Sequence, residues 1–328
     1  NLLLLFFTST SVKPQNVAVG ILILVSFLVG VSVNSFFLWV LGVKMARTVN
    51  TLWFIHLTLI HLILCSLLPL FAAYVIIDFN WIFGVFMCKL VSYFFSVGMF
   101  TTIFLLTIIS SDRYLFTCHS VWSQQHRTLS WACRLIAGVW VVSLALSVPS
   151  LFFWNIMDGT QKCEFNISFF ENWDSTHVGI TFYFIHFLVA FLLPFIVILI
   201  CYCCIVREMK KKGFLRSRKT LKVLISAVAS FFICWLPYHL YHVSLLIKDV
   251  RKETVNAIWY VMAAGICFNI CFTPIIYLFV GEKFQQIFKM SIVALIRKGL
   301  SEHSKVEQTP WYGSHPYRQG WNNPALTV

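Results

Sequence analysis

Long apolar stretches separated by short polar ones recur seven times along this chain, at residues 17–43, 52–77, 86–116, 131–153, 180–206, 221–247 and 255–280. A helix of about 20 apolar residues crosses the roughly 30 Å hydrocarbon core of a bilayer. Each stretch therefore predicts a transmembrane helix. The runs are long and continuous rather than short and alternating, which excludes a porin-like barrel. The expected fold is an all-α membrane protein, a seven-transmembrane helix bundle over 17–280.

A further pattern follows the last span. In 281–297, Phe284, Ile287, Phe288, Ile292 and Leu295 recur at helical spacing, with Lys283 and Lys289 elsewhere around the turn. This predicts a short amphipathic eighth helix lying in the membrane interface. Residues 298–328 are polar, with Pro, Gly and Asn in the final third, and predict a disordered cytoplasmic tail. Its last residues, Leu326-Thr327-Val328, could extend a sheet edge in a partner. Residues 1–16 start without Met and read as an incomplete extracellular amino terminus.

Composition sharpens the class. With 59% hydrophobic and 11% charged residues, the chain lacks the polar surface of a soluble domain of 328 residues. Its 25 Lys and Arg against 12 Asp and Glu would suit nucleic acid, but these charges flank the apolar runs. Lys44, Arg47, Arg127, Arg134, the run from Arg207 to Lys222, and Lys283 to Lys298 all fall on one side. That side is cytoplasmic by the positive-inside rule, and its basic loops meet anionic membrane lipids rather than nucleic acid. Asp78, Asp158, Glu164, Glu171, Asp174, Asp249 and Glu253 lie opposite, so the amino terminus faces outward.

Most of the 11 cysteines sit inside apolar runs as small hydrophobes. Cys88 and Cys163 alone fall on the outer side, where a disulfide is permitted and would hold the loop after the fourth span over the third. Asn166-Ile167-Ser168 in that loop is a glycosylation sequon, so Asn166 is the expected acceptor.

A set of short motifs is distributed over the spans. Asp112-Arg113-Tyr114 ends the third, Trp140 lies in the fourth, and Pro194 and Tyr202 lie in the fifth. Cys234-Trp235-Leu236-Pro237 lies in the sixth and Thr273-Pro274-Ile275-Ile276-Tyr277 in the seventh. A lone Asp-Arg pair at a membrane boundary would be read as snorkelling anchors. Together, over residues 17–304, these motifs resemble the rhodopsin-like family of G-protein-coupled receptors. Trp81-Ile82-Phe83-Gly84, residues 121–128 (VWSQQHRT), residues 230–235 (SFFICW) and Leu278-Phe279-Val280-Gly281-Glu282 are similar to the chemoattractant branch related to formyl-peptide receptors.

The resemblance implies a plasma-membrane receptor, not an enzyme, that couples an extracellular peptide or lipid to a heterotrimeric G protein of the inhibitory type. Arrestin is a further implied partner; no cofactor or metal is expected. Asp112 would hold Arg113 at rest, and opening would expose Arg113 to the terminal helix of the α subunit. Pro237 removes a backbone hydrogen bond and bends the sixth span near Trp235. Tyr202 and Tyr277 stand where the family steadies its open state.

Two positions depart from the family. His61 stands where an Asp anchors an internal sodium ion, beside Thr102 and Asn269, and Thr273 replaces the Asn or Asp before Pro274. The sodium site is expected to be degenerate. These departures also motivate a rival reading, a decoy receptor with little coupling. A transporter is a more distant rival, opposed by the lack of an internal repeat.

Ser92, Phe95, Ser96 and Met99 are expected to face the ligand from the third span, opposite His186, Tyr238, His239 and His242. The lack of an Asp in that half of the third span argues against an amine site. Formyl-peptide receptors carry an Asp and arginines where this chain has Ser96, Phe182 and His186, which argues against formyl-peptide recognition. The aromatic, mildly basic set suits a peptide carboxyl terminus or an acidic lipid. Three helical histidines without a carboxylate or thiolate are weak support for zinc.

Overall fold

A computed structural model describes residues 13–157, 161–165, 175–211, 218–247, 250–278, 290 and 293. Residues 1–287 form one compact unit and 288–328 another, of which Met290 and Val293 are described and helical. The rest of the expected eighth helix, the tail and residues 1–12 lie outside the described residues.

The first unit is built from α1 (Pro14–Trp39), α2 (Val49–Ile76), α3 (Gly84–Cys118), α4 (Ser120–His126), α5 (Leu129–Phe153), α6 (Ser175–Phe187), α7 (Leu193–Lys211), α8 (Arg218–Leu246) and α9 (Lys252–Leu278). Two five-residue π-turns, Val40–Lys44 after α1 and Leu188–Leu192 between α6 and α7, continue their helices. Thus α6, the second π-turn and α7 make one span, His177–Lys211.

Six spans among the described residues are long and apolar enough to cross a membrane, and α8 is the seventh long helix. The structure adds the short α4 and a hairpin to the elements expected from the hydrophobic pattern. Neither carries a long apolar run, so the pattern is silent about both.

Helix starts follow from their side chains. Pro14 occupies the first turn of α1, where its missing N–H is not needed. The Thr48 hydroxyl accepts from Thr51 N–H at 3.2 Å to cap α2, and Thr128 accepts from Trp131 N–H at 3.2 Å to cap α5. Asp78 receives hydrogen bonds from Lys13 Nζ (3.1 Å) and Asn16 Nδ2 (2.8 Å), and Tyr260 donates to Asn16 Oδ1 (2.8 Å). These bonds tie the ends of α1, α2 and α9 together.

Helix α3 runs through the centre: 67% of its most apolar stretch is buried, against 22% for α1. Its Phe100, Ile103 and Leu106 pack with Trp53 and Leu57 of α2 and with Phe231 and Trp235 of α8. Ile23, Leu68 and Ala263 belong to a second cluster joining α1, α2 and α9. Leu28, Val141, Phe184, Ile200, Ile233 and Val261 stay exposed, as expected of side chains that face lipid.

Helices α8 and α9 meet backbone to side. A Cβ on Gly265 would stand 2.7 Å from the Cys234 carbonyl oxygen, which no side-chain rotation relieves. Gly265→Ala is expected to cost about 1–3 kcal/mol through overpacking. A lowered midpoint of thermal unfolding in detergent would register it, and an unchanged midpoint would contradict this close approach.

Candidate functional site

The structure places candidate chemistry at three levels along α3. At the first, the hairpin pairs β1 (Trp154–Ile156) with β2 (Cys163–Phe165), antiparallel, with Ile156 opposite Cys163. Cys163 is disulfide-bonded to Cys88, which is fully buried near the start of α3. Trp81 N–H donates to Gln161 O at 2.7 Å, so the connection before α3 also holds the hairpin. The bond and these contacts fix the hairpin across this end of the bundle.

Beneath it lies a cluster of buried rings. Trp154 of β1 meets His242 edge-on at 6.4 Å, and Phe165 of β2 lies 4.9 Å from Tyr183. Tyr183 stacks on His242 at 4.4 Å, Tyr238 meets His242 at 4.4 Å, and His186 lies 6.0 Å from His239. Phe100 closes the cluster from α3, edge-on to His186 at 4.9 Å. Ser96, one turn from Phe100, is buried and Met99 is in the core; Ser92 is partly buried. Phe95 packs toward α2 instead, 5.9 Å from Phe71.

At the second level, Trp235 joins the ring cluster to the core, 5.7 Å from Tyr238 and stacked on Phe231 at 5.7 Å. Its Nε1 donates to Asn269 Oδ1 of α9 at 3.4 Å, two residues before Pro237, which lies inside the continuous α8. Asn34 Nδ2 donates to Gly30 O at 2.8 Å and to Ile270 O at 3.2 Å. His61 is buried and neither of its ring nitrogens has a hydrogen-bond partner among the described residues; Thr102 Oγ1 is in the same position. These described residues include no carboxylate to anchor a sodium ion. The one buried carboxylate among the described residues is Asp112, at the far end of α3, and an imidazole cannot balance a monovalent cation.

The third level is built around that carboxylate. Asp112 is 1% exposed, and two guanidinium groups share it. Arg113 Nη2 donates to Oδ2 at 3.0 Å; Arg127 donates through Nε to Oδ1 at 2.6 Å and through Nη2 to Oδ2 at 3.0 Å. Asn50 Oδ1, on the first turn of α2, accepts from both arginines. Arg127 also lies over the Phe116 ring at 5.9 Å. One turn back along α3, Ser110 Oγ donates to Tyr202 Oη at 3.3 Å. Tyr114 instead pairs its hydroxyl with His119 Nε2 at 3.0 Å.

Arg127 and Asn50 were not singled out by sequence as parts of this group. Arg127 is 15 residues from Asp112, and α4 is the element that returns it. The backbone of Thr273, Pro274 and Tyr277 continues α9, but their side chains lie outside the described residues, as does Asn166.

Residues 33–277 match the family model of the 7 transmembrane receptor (rhodopsin family). The chain is 40% identical over 295 residues to human "Probable G-protein coupled receptor 33", covering 87% of this chain and 88% of the relative. It is 42% identical over 294 residues to the Rattus rattus protein of the same name, covering 87% and 86%. To "N-formyl peptide receptor 3" of Pan troglodytes it is 33% identical over 304 residues, again covering 87% and 86%.

Proposed function

This chain belongs to the rhodopsin family of seven-transmembrane receptors, and on that premise we propose that it binds an extracellular chemoattractant-like ligand and signals through a heterotrimeric G protein. It is a multi-pass membrane protein and not an enzyme. In this reading it sits in the plasma membrane with its amino terminus outside, the hairpin end facing the ligand and the arginine end facing the cytoplasm.

The observation that carries the reading is the ion pair of Asp112 with Arg113 at the end of α3. It lies on the same helix as Ser96 and Phe100, which border the ring cluster, so one rigid element reaches both ends. A ligand that presses on Tyr238 shifts Trp235, and the backbone hydrogen bond that Pro237 cannot make lets α8 tilt below it. Outward tilt of α8 away from α3 frees Arg113 for the terminal helix of the α subunit. Lys210 and Lys211, at the end of α7, then flank the opening.

The ligand we propose is a peptide carboxyl terminus or an acidic lipid, the G protein is of the inhibitory type, and arrestin is a second partner. One relative is named for N-formyl peptides, but Ser96, Phe182 and His186 provide no fixed charge at this end of the bundle.

Arg113→Ala tests the coupling. Cells expressing the chain are exposed to panels of peptide and lipid chemoattractants while G-protein dissociation and surface binding are recorded. The substitution is expected to abolish dissociation, with surface binding changed less than about threefold. A full response from the Ala variant would overturn the role of Arg113.

A second reading is favoured by His61, buried with unpartnered nitrogens where the family anchors its ion, and by Thr273 before Pro274. These weaken the polar link between the two ends, as a decoy receptor would tolerate. Ligand binding with no response in the unmodified chain would support that reading.

A further inference from the structure

Four ring atoms of one cluster, Tyr183 Oη, His186 Nδ1, His239 Nε2 and His242 Nδ1, have no hydrogen-bond partner among the described residues, and neither has Ser96 Oγ, one turn from Phe100 on α3. All five residues are more than nine-tenths buried. The tyrosine and histidine rings form one contiguous set, in which His186 lies 5.9 Å from Tyr238 and Tyr238 lies 4.4 Å from His242. Buried polar atoms are ordinarily paired. Four in one ring cluster, on two elements, make a built capacity for a polar ligand group rather than isolated packing faults.

The chemistry of the surroundings narrows that group. Tyr183 and His186 face the cluster from α6, Tyr238, His239, Tyr241 and His242 from α8, and Phe100 from α3, one turn from Ser96. Phe187 and Phe191 close it beside His239, and Trp154 and Phe165 cover it from the hairpin. The acid on the hairpin, Glu164, has a side chain 50% exposed. Asp112 is the one buried charged side chain among the described residues, and it lies at the other end of α3.

The two hydroxyls can donate, and each imidazole nitrogen can donate once protonated, so the set is matched to an acceptor-only group with several lone pairs. A carboxylate is such a group. Entering these aromatic surroundings without a counter-ion, its charge would be strongly disfavoured. An imidazole supplies the missing positive charge by binding a proton.

We infer that this cluster takes a carboxylate from an otherwise apolar ligand and takes it together with one proton. This rests on the receptor reading above and specifies its ligand class. The balance is simple: ligand carboxylate, neutral imidazole and a proton from water give a carboxylate–imidazolium pair, with Ser96 and Tyr183 donating to the remaining lone pairs. Because the bound state holds one more proton than the free state, affinity rises as pH falls. Where the free ligand is ionised and the free imidazole neutral, the dissociation constant changes about tenfold per pH unit.

The test uses the purified full chain in detergent with two water-soluble probes of nearly equal shape, 4-phenylbutyrate and 4-phenylbutanamide. Their binding is titrated to millimolar concentration at pH 6.5 and 7.5, from the rise in unfolding temperature over the probe-free sample at the same pH. The acid is expected to bind about tenfold tighter at pH 6.5, and the amide equally at both. His186→Gln, His239→Gln and His242→Gln keep polarity and size but cannot carry the proton. At least one of them is expected to remove the slope for the acid while its probe-free unfolding temperature stays near that of the parent.

Equal binding of acid and amide, a flat profile for the acid, a slope retained in all three variants, or no binding of either probe would overturn the inference. No G protein takes part in this measurement. A flat profile therefore leaves the Arg113 experiment standing, and a silent transducer leaves the pH slope unaffected.

Discussion

Asp112→Leu is expected to lower the stability of the bundle by about 3 kcal/mol, toward the small end of the range for breaking a buried ion pair. Asp112 is buried at 1% exposure, whereas the side chains of Arg113 and Arg127 are 21% and 18% exposed. Removing the carboxylate strands two cations at once, but both retain some access to water, which limits the cost.

Arg113→Leu is expected to cost less. The bidentate grip of Arg127 on Asp112, at 2.6 and 3.0 Å, keeps that carboxylate paired when Arg113 is gone. Thermal unfolding of the two variants in detergent compares them directly. Equal losses would mean that Arg127 does not hold Asp112 in solution. The arrangement also bears on signalling: a carboxylate with two cationic partners can release one without becoming an unpaired buried charge. In the proposed signalling, Arg113 is the partner expected to be released from Asp112 and Arg127 the one expected to stay.

The second large effect is expected from the disulfide. Cys88→Ala with Cys163→Ala opens a link spanning 75 residues, and loss of about 2–4 kcal/mol is expected. Spans that remain inserted in the membrane keep the unfolded chain from becoming a free coil, so the gain from closing so long a loop is smaller than in water. A pronounced fall in the unfolding midpoint registers the loss. Increased hydrogen exchange should be confined to 154–157, 161–165 and the start of α3, because the bridge is the covalent tie between the hairpin and that helix. Uniform exchange across all spans would show instead that the bridge stabilises the whole bundle.

The spans were readable from sequence because a run of more than 20 apolar residues has few alternatives to a membrane helix. Observed starts fall two to five residues before the expected ones, and at three of them Pro14, Thr48 and Thr128 begin the helix within polar sequence. The bridge between Cys88 and Cys163 was readable from sidedness, and Asp112 with Arg113 from adjacency. Arg127 was visible only as a loop charge. Its role depends on α4, a seven-residue helix too short to announce itself by periodicity. The histidines of α6 and α8 were readable as neighbours, but their unpaired nitrogens are properties of packing.

The π-turn at Leu188–Leu192 sets the angular phase of the fifth span. His186 and Tyr202 are 16 residues apart, and at about 100° per residue a regular helix would point them roughly 160° apart. One of them would then look into lipid. A π-turn accommodates one extra residue, which brings the separation down to about 60°. Both residues are in fact buried, His186 against Phe100 and Tyr202 against Ser110 of the same helix α3. The widened turn thus acts as a gear offset that lets one helix present its two halves to α3.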